Sequence, residues 1–108
     1  MATYLPRDGK KERWLMLNGN ELWITCDQLA IINMVYDFLE ENTTSKKKRF
    51  TTSEIAVGVG KRSDSVSNAL LRLAFKQNPF VRIFADRYPN KSGGVLTVQK
   101  YELIRHVE

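Results

Sequence analysis

The alternation of apolar and polar residues divides the chain into helical and strand-like segments. Over residues 25–42 and 63–77, apolar side chains recur every three or four positions, which places them on one face of an α-helix. Short apolar runs over residues 14–24 and 80–101 are instead typical of paired β-strands. A short helix over residues 51–59 completes the predicted order of hairpin, three helices and hairpin.

Capping motifs predict where the helices begin. Thr25 and Gln28 have the spacing of a capping box, and Thr51 and Glu54 repeat it at the second helix. In this motif the two side chains accept hydrogen bonds from backbone N–H groups that the first turn of a helix leaves unpaired. Ser63 is predicted to be the N-cap of the third helix.

The first helix is predicted to carry two apolar stripes and to be central to the fold. The main stripe comprises Leu29, Ile32, Val35, Tyr36 and Leu39. The second stripe comprises Ile31, Met34 and Phe38. The positions expected to face water are Asn33, Asp37, Glu40 and Glu41. The second stripe could meet either the N-terminal hairpin or a partner subunit. A homodimer interface would then comprise Trp14, Trp23, Ile31, Met34 and Phe38.

Turn residues mark both hairpins. Asn18-Gly19, between two apolar runs, favours a type I′ turn, because this dipeptide tolerates the positive φ angles that such a turn needs. The second hairpin is expected to have a long polar tip over residues 86–94. Residues 1–13 show no period and are interpreted as a flexible basic arm. Residues 102–108 fit either a strand extension or a short helix.

The composition favours a single small domain. The chain has 108 residues, of which 43% are hydrophobic and 27% charged, so it can bury one core but not two. One cysteine, Cys26, cannot form an internal disulfide, and no long apolar run opens the chain. Both observations predict a cytoplasmic protein, associated with the nucleoid if its source is bacterial, archaeal or phage.

The positive charge is concentrated in one part of the chain. The formal net charge is +5, but residues 46–91 carry eleven basic and three acidic side chains, a charge of +8, and the remainder carries −3. Such a concentration is typical of a face that binds phosphates. The alternative is a solvated, lysine-rich surface, so the arrangement of the residues has to decide.

The middle of the chain resembles the helix-turn-helix signature of winged helix-turn-helix DNA-binding domains. The matching positions are Ile55-Ala56, Gly60, Val66, Ser67, Ala69-Leu70 and Leu73. The resemblance covers about residues 25–101 and implies an α+β fold of three helices with a C-terminal β-hairpin wing, to which this chain adds an N-terminal β-hairpin. Lys61-Arg62 departs from the family pattern, in which an apolar residue and then Ser or Thr usually follow the glycine, so the subfamily stays open.

The resemblance also implies which residues contact DNA. The third helix would enter the major groove and bring Ser65, Asn68 and Arg72 to base edges. The helix entrance, the basic loop and the wing would contact phosphates or the minor groove. The expected DNA-binding residues are Lys46, Lys47, Lys48, Arg49, Lys61, Arg62, Ser63, Ser65, Asn68, Arg72, Lys76, Arg87 and Lys91.

The sequence therefore favours a non-enzymatic transcriptional regulator that binds double-stranded DNA, as a homodimer. Two alternatives stay open: a replication-initiation or architectural DNA-binding protein, and a winged-helix module that binds proteins instead. A phosphate-binding loop is disfavoured, because it would need Gly in place of Ile55 and Ser or Thr in place of Arg62. A thiol dyad of Cys26 with His106 is disfavoured too. No cofactor, metal, membrane or small-molecule ligand is expected.

Overall fold

The structure, a computed structural model, describes residues 12–106. Residues 1–11, which make up most of the predicted arm, and residues 107–108 lie outside the described residues. Arg13, which was also assigned to the arm, belongs to the first strand. The elements are β1 (Glu12–Leu15), β2 (Glu21–Ile24), α1 (Cys26–Asn42), β3 (Arg49–Thr51), α2 (Thr52–Val59), α3 (Ser63–Phe75), β4 (Val81–Pro89) and β5 (Val95–Leu103). The strands form two antiparallel sheets, β1-β2 and β3-β5-β4. The predicted α+β class is confirmed.

The N-terminal hairpin is present, but its predicted type I′ turn is wrong. The Met16 N–H donates to the Asn20 carbonyl at 2.8 Å, and the Gly19 N–H donates to the Met16 carbonyl at 2.9 Å. Gly19 has a φ of +86°, whereas Asn18 keeps a negative φ. A type I′ turn needs positive φ at both central residues, and this geometry is instead that of a three-residue loop ending in a left-handed glycine.

The hairpin is held against the end of α3 by backbone hydrogen bonds. The Leu17 N–H donates to the Phe75 carbonyl at 2.8 Å, and the Gln77 N–H donates to the Leu15 carbonyl at 2.9 Å. Trp14 is thereby buried, with 2% of its surface exposed, which removes it from the predicted dimer interface. Trp23 is 59% exposed.

Helix α1 buries its main predicted stripe, and its capping box is confirmed at Thr25 and Gln28. The prediction of solvated Asn33 and Asp37 is wrong, because both side chains are buried. Asn33 donates from Nδ2 to the Leu29 carbonyl at 2.9 Å. The chain after β5 returns to α1, where His106 Nδ1 lies 3.7 Å from Glu40 Oε2. A helical wheel cannot show this return of the chain.

The second stripe of α1 is used partly within the chain. The Phe38 ring meets the Phe50 ring edge-on, with 5.5 Å between centroids, and it lies over Gly58 of α2. Ile31 and Met34 are half-buried. Phe38 therefore packs within the chain against α2 and β3, whereas the homodimer interface predicted for Ile31 and Met34 stays a prediction.

Strand β3 was not predicted. Its three residues pair with β5, and buried Phe50 lies opposite buried Tyr101. Arg49, expected in a basic loop, is the first residue of this strand. Thr51 is both the last residue of this strand and the N-cap of α2. The predicted capping box between Thr51 and Glu54 is confirmed. Three residues are too few to show a period of two in the sequence.

Helix α3 has the predicted inner face but different ends. Val66, Ala69, Leu70, Leu73 and Ala74 are all buried. The predicted N-cap is wrong by one residue: Arg62 is the cap, makes no side-chain capping bond, and Ser63 is the first helical residue. The helix ends at Phe75, because Lys76 leaves it to form a bridge with Met16 of the hairpin.

The second hairpin is longer than predicted and its tip is shorter. Asp86 to Pro89, expected in the tip, continue β4 and pair with Val95 to Val98. The tip is reduced to five residues around Asn90, whose Oδ1 accepts from the backbone N–H of Ser92 and of Gly94. At the other end of the hairpin, Glu102 and Leu103 extend β5. Of the two structures that the sequence allowed for these residues, a strand or a short helix, the strand is therefore the one observed.

Within residues 12–106, no helix is both long enough and apolar enough to cross a membrane.

We expect Gly58→Ala to destabilise the protein although alanine is the better helix former. A Cβ at this position would stand well inside van der Waals contact with the Phe38 ring. Overpacking outweighs the gain in helix propensity, and the free energy of unfolding should fall by about 1–2 kcal/mol in urea denaturation. In a Phe38→Ala background the same substitution should be neutral or stabilising. Equal effects in both backgrounds would contradict this account.

We expect Glu54→Gln to lower stability at neutral pH and to have no such effect in acid. A side-chain hydrogen bond from Lys47, and then the Thr51 backbone N–H, hold the pKa of the Glu54 carboxyl below its ordinary value. A lowered pKa contributes stability above the unfolded value of about 4.3 that is lost as the pH falls. Glutamine keeps the capping box, so thermal unfolding from pH 7 to pH 3 isolates the charge. Glu41→Gln, on the exposed side of α1, controls for net charge. A difference that does not change with pH would refute the prediction.

Candidate nucleic-acid interface

The N-terminus of α3 is positively charged. Lys61 and Arg62 lie between the left-handed Gly60, with a φ of +69°, and the first turn of the helix. Asp64 accepts from the Ser65 backbone N–H at 2.8 Å and from Arg62 at 3.2 Å. Lys61 is exposed and forms no ion pair with another described residue. The helix dipole and these cations together favour an anion at this end.

The solvent-facing row of α3 differs from the predicted one. Asp64 and Asn68 are exposed as expected, but the row continues through Leu71 and Phe75, which are 38% and 45% exposed. These two apolar residues were not singled out in the sequence. Leu71 and Phe75 are four residues apart, as neighbours on one helix face are. Their neighbours in the sequence, however, do not distinguish them from the buried leucines of the same helix.

Three members of the predicted outward row are partly withdrawn from solvent. Ser65 and Arg72 are half-buried and line a cleft between α3 and α1. Lys76 is half-buried too, with Nζ 4.2 Å from the centroid of the Trp14 ring. Lys76 is half-buried because the N-terminal hairpin packs beside it, and the sequence did not show that this hairpin lies against α3.

The basic loop before β3 is split by its contacts. Thr44 Oγ1 accepts from the backbone N–H of Lys46 and of Lys47, which folds the loop into a tight turn. Lys47 pairs with Glu54, and its Nζ lies 5.3 Å from the Phe50 ring centroid. Lys46 and Lys48 are exposed and form no ion pair with a described residue. Only these two of the four predicted residues are left available for phosphates.

Arg49 belongs to a ladder on the outer face of the β3-β5-β4 sheet. Its guanidinium lies 3.6 Å from the Phe84 ring centroid and 3.3 Å from Glu102. Beside it, Lys100 bonds to Asp86 at 3.0 Å. That bond, followed by the one to the Tyr88 hydroxyl, raises the pKa of the Lys100 ammonium. Arg49 and Lys100 are therefore paired on this face, where Arg49 stabilises the sheet, whereas Arg82 of the same face is exposed and forms no ion pair with a described residue.

Arg87 lies on the opposite face of the sheet, the face against which the helices pack. Side chains alternate along a strand, so Arg87 shares a face with buried Val81 and with Ile83, and it pairs with Thr97 of β5. Arg87 therefore lies in β4 and not in the tip, whereas Lys91 lies in the tip as predicted. Both are exposed and form no ion pair with a described residue.

A groove between the first turn of α2 and strand β5 was missed by the sequence analysis. Its volume is about 490 Å³, and Thr52, Ser53, Thr97 and Gln99 line it. Thr97 is the register partner of Arg87, whereas Val98, which also lines the groove, belongs to the other face, so the groove lies at the edge of β5. The capping box at Thr51 was the one local signal, because it predicts that Thr52 and Ser53 lie in the first turn of α2.

Cys26 and His106 do not form a dyad. Cys26 is the first residue of α1, whereas His106 lies beside Glu40 near the other end of that helix. The rise between these helix positions is about 21 Å. The described residues also include no group of three or more His, Cys, Asp or Glu side chains that could hold a metal ion.

Comparison with known proteins gives one weak likeness. No family model matches the chain, and no solved structure matches it significantly. The chain is similar to the calpain-like protease palB/RIM13 of Kluyveromyces lactis, with 28% identity over 103 residues. The alignment covers 93% of this chain but 15% of that protein, so the chain spans only a small part of its relative. The likeness is to a segment of a protease and assigns neither family nor activity to this chain.

Proposed function

We propose that the chain is a winged helix-turn-helix domain that binds double-stranded DNA, as a transcriptional regulator. Helix α3 would read the major groove, and the β4-β5 hairpin would be the wing. The observation that carries the proposal is the set of exposed cations without an acidic partner on the helix side of the wing and around the start of α3.

The topology supports the winged-helix part of the proposal. The order after the N-terminal hairpin is helix, short strand, two helices and a hairpin, and the short strand pairs with the last strand of the chain. Gly60 provides the turn between α2 and α3 with a left-handed φ of +69°. The inner face of α3 is buried, whereas Asp64 and Asn68 in its N-terminal half are exposed, as a helix that enters a groove requires.

The distribution of ion pairs supports phosphate binding. The acidic residues of the basic segment already have partners: Glu54 pairs with Lys47, Asp64 with Arg62 and Asp86 with Lys100. The exposed basic side chains of this segment without an ion pair to a described residue are Lys46, Lys48, Lys61, Arg82, Arg87 and Lys91, of which Arg82 lies on the outer face of the sheet. Unneutralised cations of this kind displace counterions from DNA and supply sequence-independent affinity.

The proposed contacts are of two kinds: contacts to phosphates, which position the protein on the duplex, and contacts to base edges, which recognise the sequence. Lys61 and Arg62 would hold phosphates where α3 enters the groove, and Arg87 would hold the backbone beside the hydroxyl-lined groove of α2 and β5. Asn68, exposed in the N-terminal half of α3, would bond to adenine. Leu71, next on the same row, would meet a thymine methyl group.

One observation favours a second candidate, a module that binds proteins. Leu17 and Phe75 are 57% and 45% exposed and are joined by the hydrogen bond between the hairpin and α3. Exposed apolar side chains that adjoin one another are typical of protein interfaces. This surface lies at the C-terminal end of α3, away from the cations at its N-terminus.

We expect the K61Q/R62Q double variant to bind a mixed-sequence duplex about tenfold more weakly than the unmodified protein at moderate salt. Its plot of log affinity against log salt concentration should be shallower by about two, one for each lost phosphate contact. Fluorescence anisotropy with a labelled duplex of two helical turns measures both quantities.

The R13Q/R82Q double variant is the matched control, because it removes the same charge from the first hairpin and the other end of β4. Its affinity should stay within about twofold of the unmodified protein, since only weak long-range attraction is lost. No binding by the unmodified protein at low salt, or equal losses in both double variants, would refute the proposed DNA-binding face and favour the protein-binding module.

A further inference from the structure

Strand β4 is an edge of the three-stranded sheet. Its neighbour on one side is β5, and no strand within residues 12–106 pairs with its other side. Ala85 and Arg87, in the second half of the strand, are exposed. The N–H and C=O groups along such an edge form a template for another strand. The free edge of β4 therefore has the geometry to pair with one further strand.

The hydrogen bonds at the two ends of the hairpin show which backbone groups face this edge. The Ile104 N–H donates to the Phe80 carbonyl at 2.8 Å, and the Asn90 N–H donates to the Gly94 carbonyl at 3.0 Å. Both pairs continue the register of β4 with β5. Because bonded and non-bonded pairs alternate in an antiparallel ladder, the even-numbered residues of β4 bond to β5. The odd-numbered residues direct their N–H and C=O groups to the free edge.

Three odd-numbered residues form the part of the edge that another strand can reach. Ile83 is half-buried, Ala85 and Arg87 are exposed, and the backbone groups that they direct outwards have no partner among the described residues. Before them, Val81 is 1% exposed and is too deeply buried to pair. After them, Pro89 has no N–H to donate. The available edge runs from Ile83 to Arg87, with Ala85 at its centre.

We propose that this edge is a homodimer interface, in which two β4 strands pair antiparallel about Ala85. The two sheets of three strands then form one sheet of six. The interface is isologous, so the same residues serve both copies. It differs from the interface that the sequence predicted on the second stripe of α1. The dimer does not depend on DNA binding.

The backbone of the edge is complementary to a second copy of itself. In this register Ile83 lies opposite Arg87 of the second copy, and Ala85 lies opposite its own counterpart at the two-fold axis. The outward N–H and C=O groups of all three residues are then paired. No two like charges lie directly opposite each other, an arrangement that would be destabilising.

The side chains of the outer face match in the same register. Arg82 is exposed and forms no ion pair with a described residue. It lies opposite Tyr88 of the second copy, whose side chain is 45% exposed, so a cation–π contact forms. Phe84 lies opposite Asp86, whose carboxylate is already paired with Lys100. The pairing therefore gives Arg82 a partner and brings no unpaired carboxylate to the interface.

A groove beside the edge receives the end of the second strand. Its volume is about 370 Å³, and Phe75, Pro79, Val81 and Ile83 are among the residues that line it. Phe75 is 45% exposed and Pro79 is half-buried, so both offer apolar surface. The register that centres on Ala85 sets exposed Pro89 of the second copy opposite Val81, at this groove. Each copy thus removes apolar surface of the other from water.

Sedimentation equilibrium of the chain without DNA, over a range of concentrations, tests the proposal. The unmodified chain should change reversibly from monomer to dimer as its concentration rises. Ala85→Lys sets two like charges across the axis of the interface, and it should weaken dimerisation about tenfold or more. Val57→Lys is the matched control and should have no effect, because it adds the same charge on α2 at a position that is 84% exposed.

Engineered cysteines locate the axis. In a Cys26→Ser background, Ala85→Cys sets two Cα atoms about 5.5 Å apart across the axis, a distance that a disulfide spans. Arg87→Cys is the control, because its two copies are offset by four positions, or about 14 Å along the strands. Mild oxidation should give a covalent dimer of Ala85→Cys much faster than of Arg87→Cys.

Three results would overturn the proposal. The first is a chain that stays monomeric at every concentration. The second is a dimer that Ala85→Lys leaves intact or weakens no more than Val57→Lys does, because its interface then lies elsewhere. The third is equal cross-linking of both cysteine variants. The two proposals fail separately: a monomer that binds duplex refutes only the dimer, and a dimer without duplex affinity at low salt refutes only the proposed function.

Discussion

The pairing of β3 with β5 is the interaction on which the rest of the structure depends. Phe50 and Tyr101 are far apart in sequence, lie opposite each other and are both buried. Their contact makes β5 the central strand and so directs the long β4-β5 hairpin past the helices. Thr51 ends β3 and caps α2 in the same step, so the first turn of α2 is held beside β5. Without this pairing, the groove, Arg87 and helix α2 would not be held in fixed positions relative to one another.

The same framework separates paired from unpaired charge. On the outer face of the sheet, Arg49 and Lys100 are neutralised by Glu102 and Asp86, and they stabilise the hairpin. On the face towards the helices, Arg87 has no acidic partner among the described residues, and the exposed lysines of the connecting segments, Lys46, Lys48, Lys61 and Lys91, have none either. Arg49 and Lys100 are thus a structural part of the basic segment, whereas Arg87 on one face and Arg82 on the other are exposed and unpaired with a described acidic residue. The net charge of +5 does not reveal this division.

The elements that the sequence predicted well are those with a local signal. Both capping boxes and the inner face of α3 depend on residues within one or two turns of each other. The differences arise where distant parts of the chain meet. Asn33 is buried in the bundle, Trp14 and Lys76 meet through the hairpin, and Arg49 enters a three-residue strand. Arg72 was expected at base edges, and only the packing of α1 beside α3 shows that its Nε is buried in a cleft.

The central proposal is that one face of the chain, from the start of α3 across the first turn of α2 to the wing, would bind duplex DNA. Mapping backbone amide shifts of the 15N-labelled protein with a mixed-sequence duplex at low salt tests it most directly. The account predicts shifts at Lys61, Ser65 and Asn68 of α3, at Ser53 of α2 and at Arg87 and Thr97 of the wing, all reversed by added salt. Shifts confined to Leu17, Trp23 and Phe75, or no shifts at any duplex concentration, would contradict it.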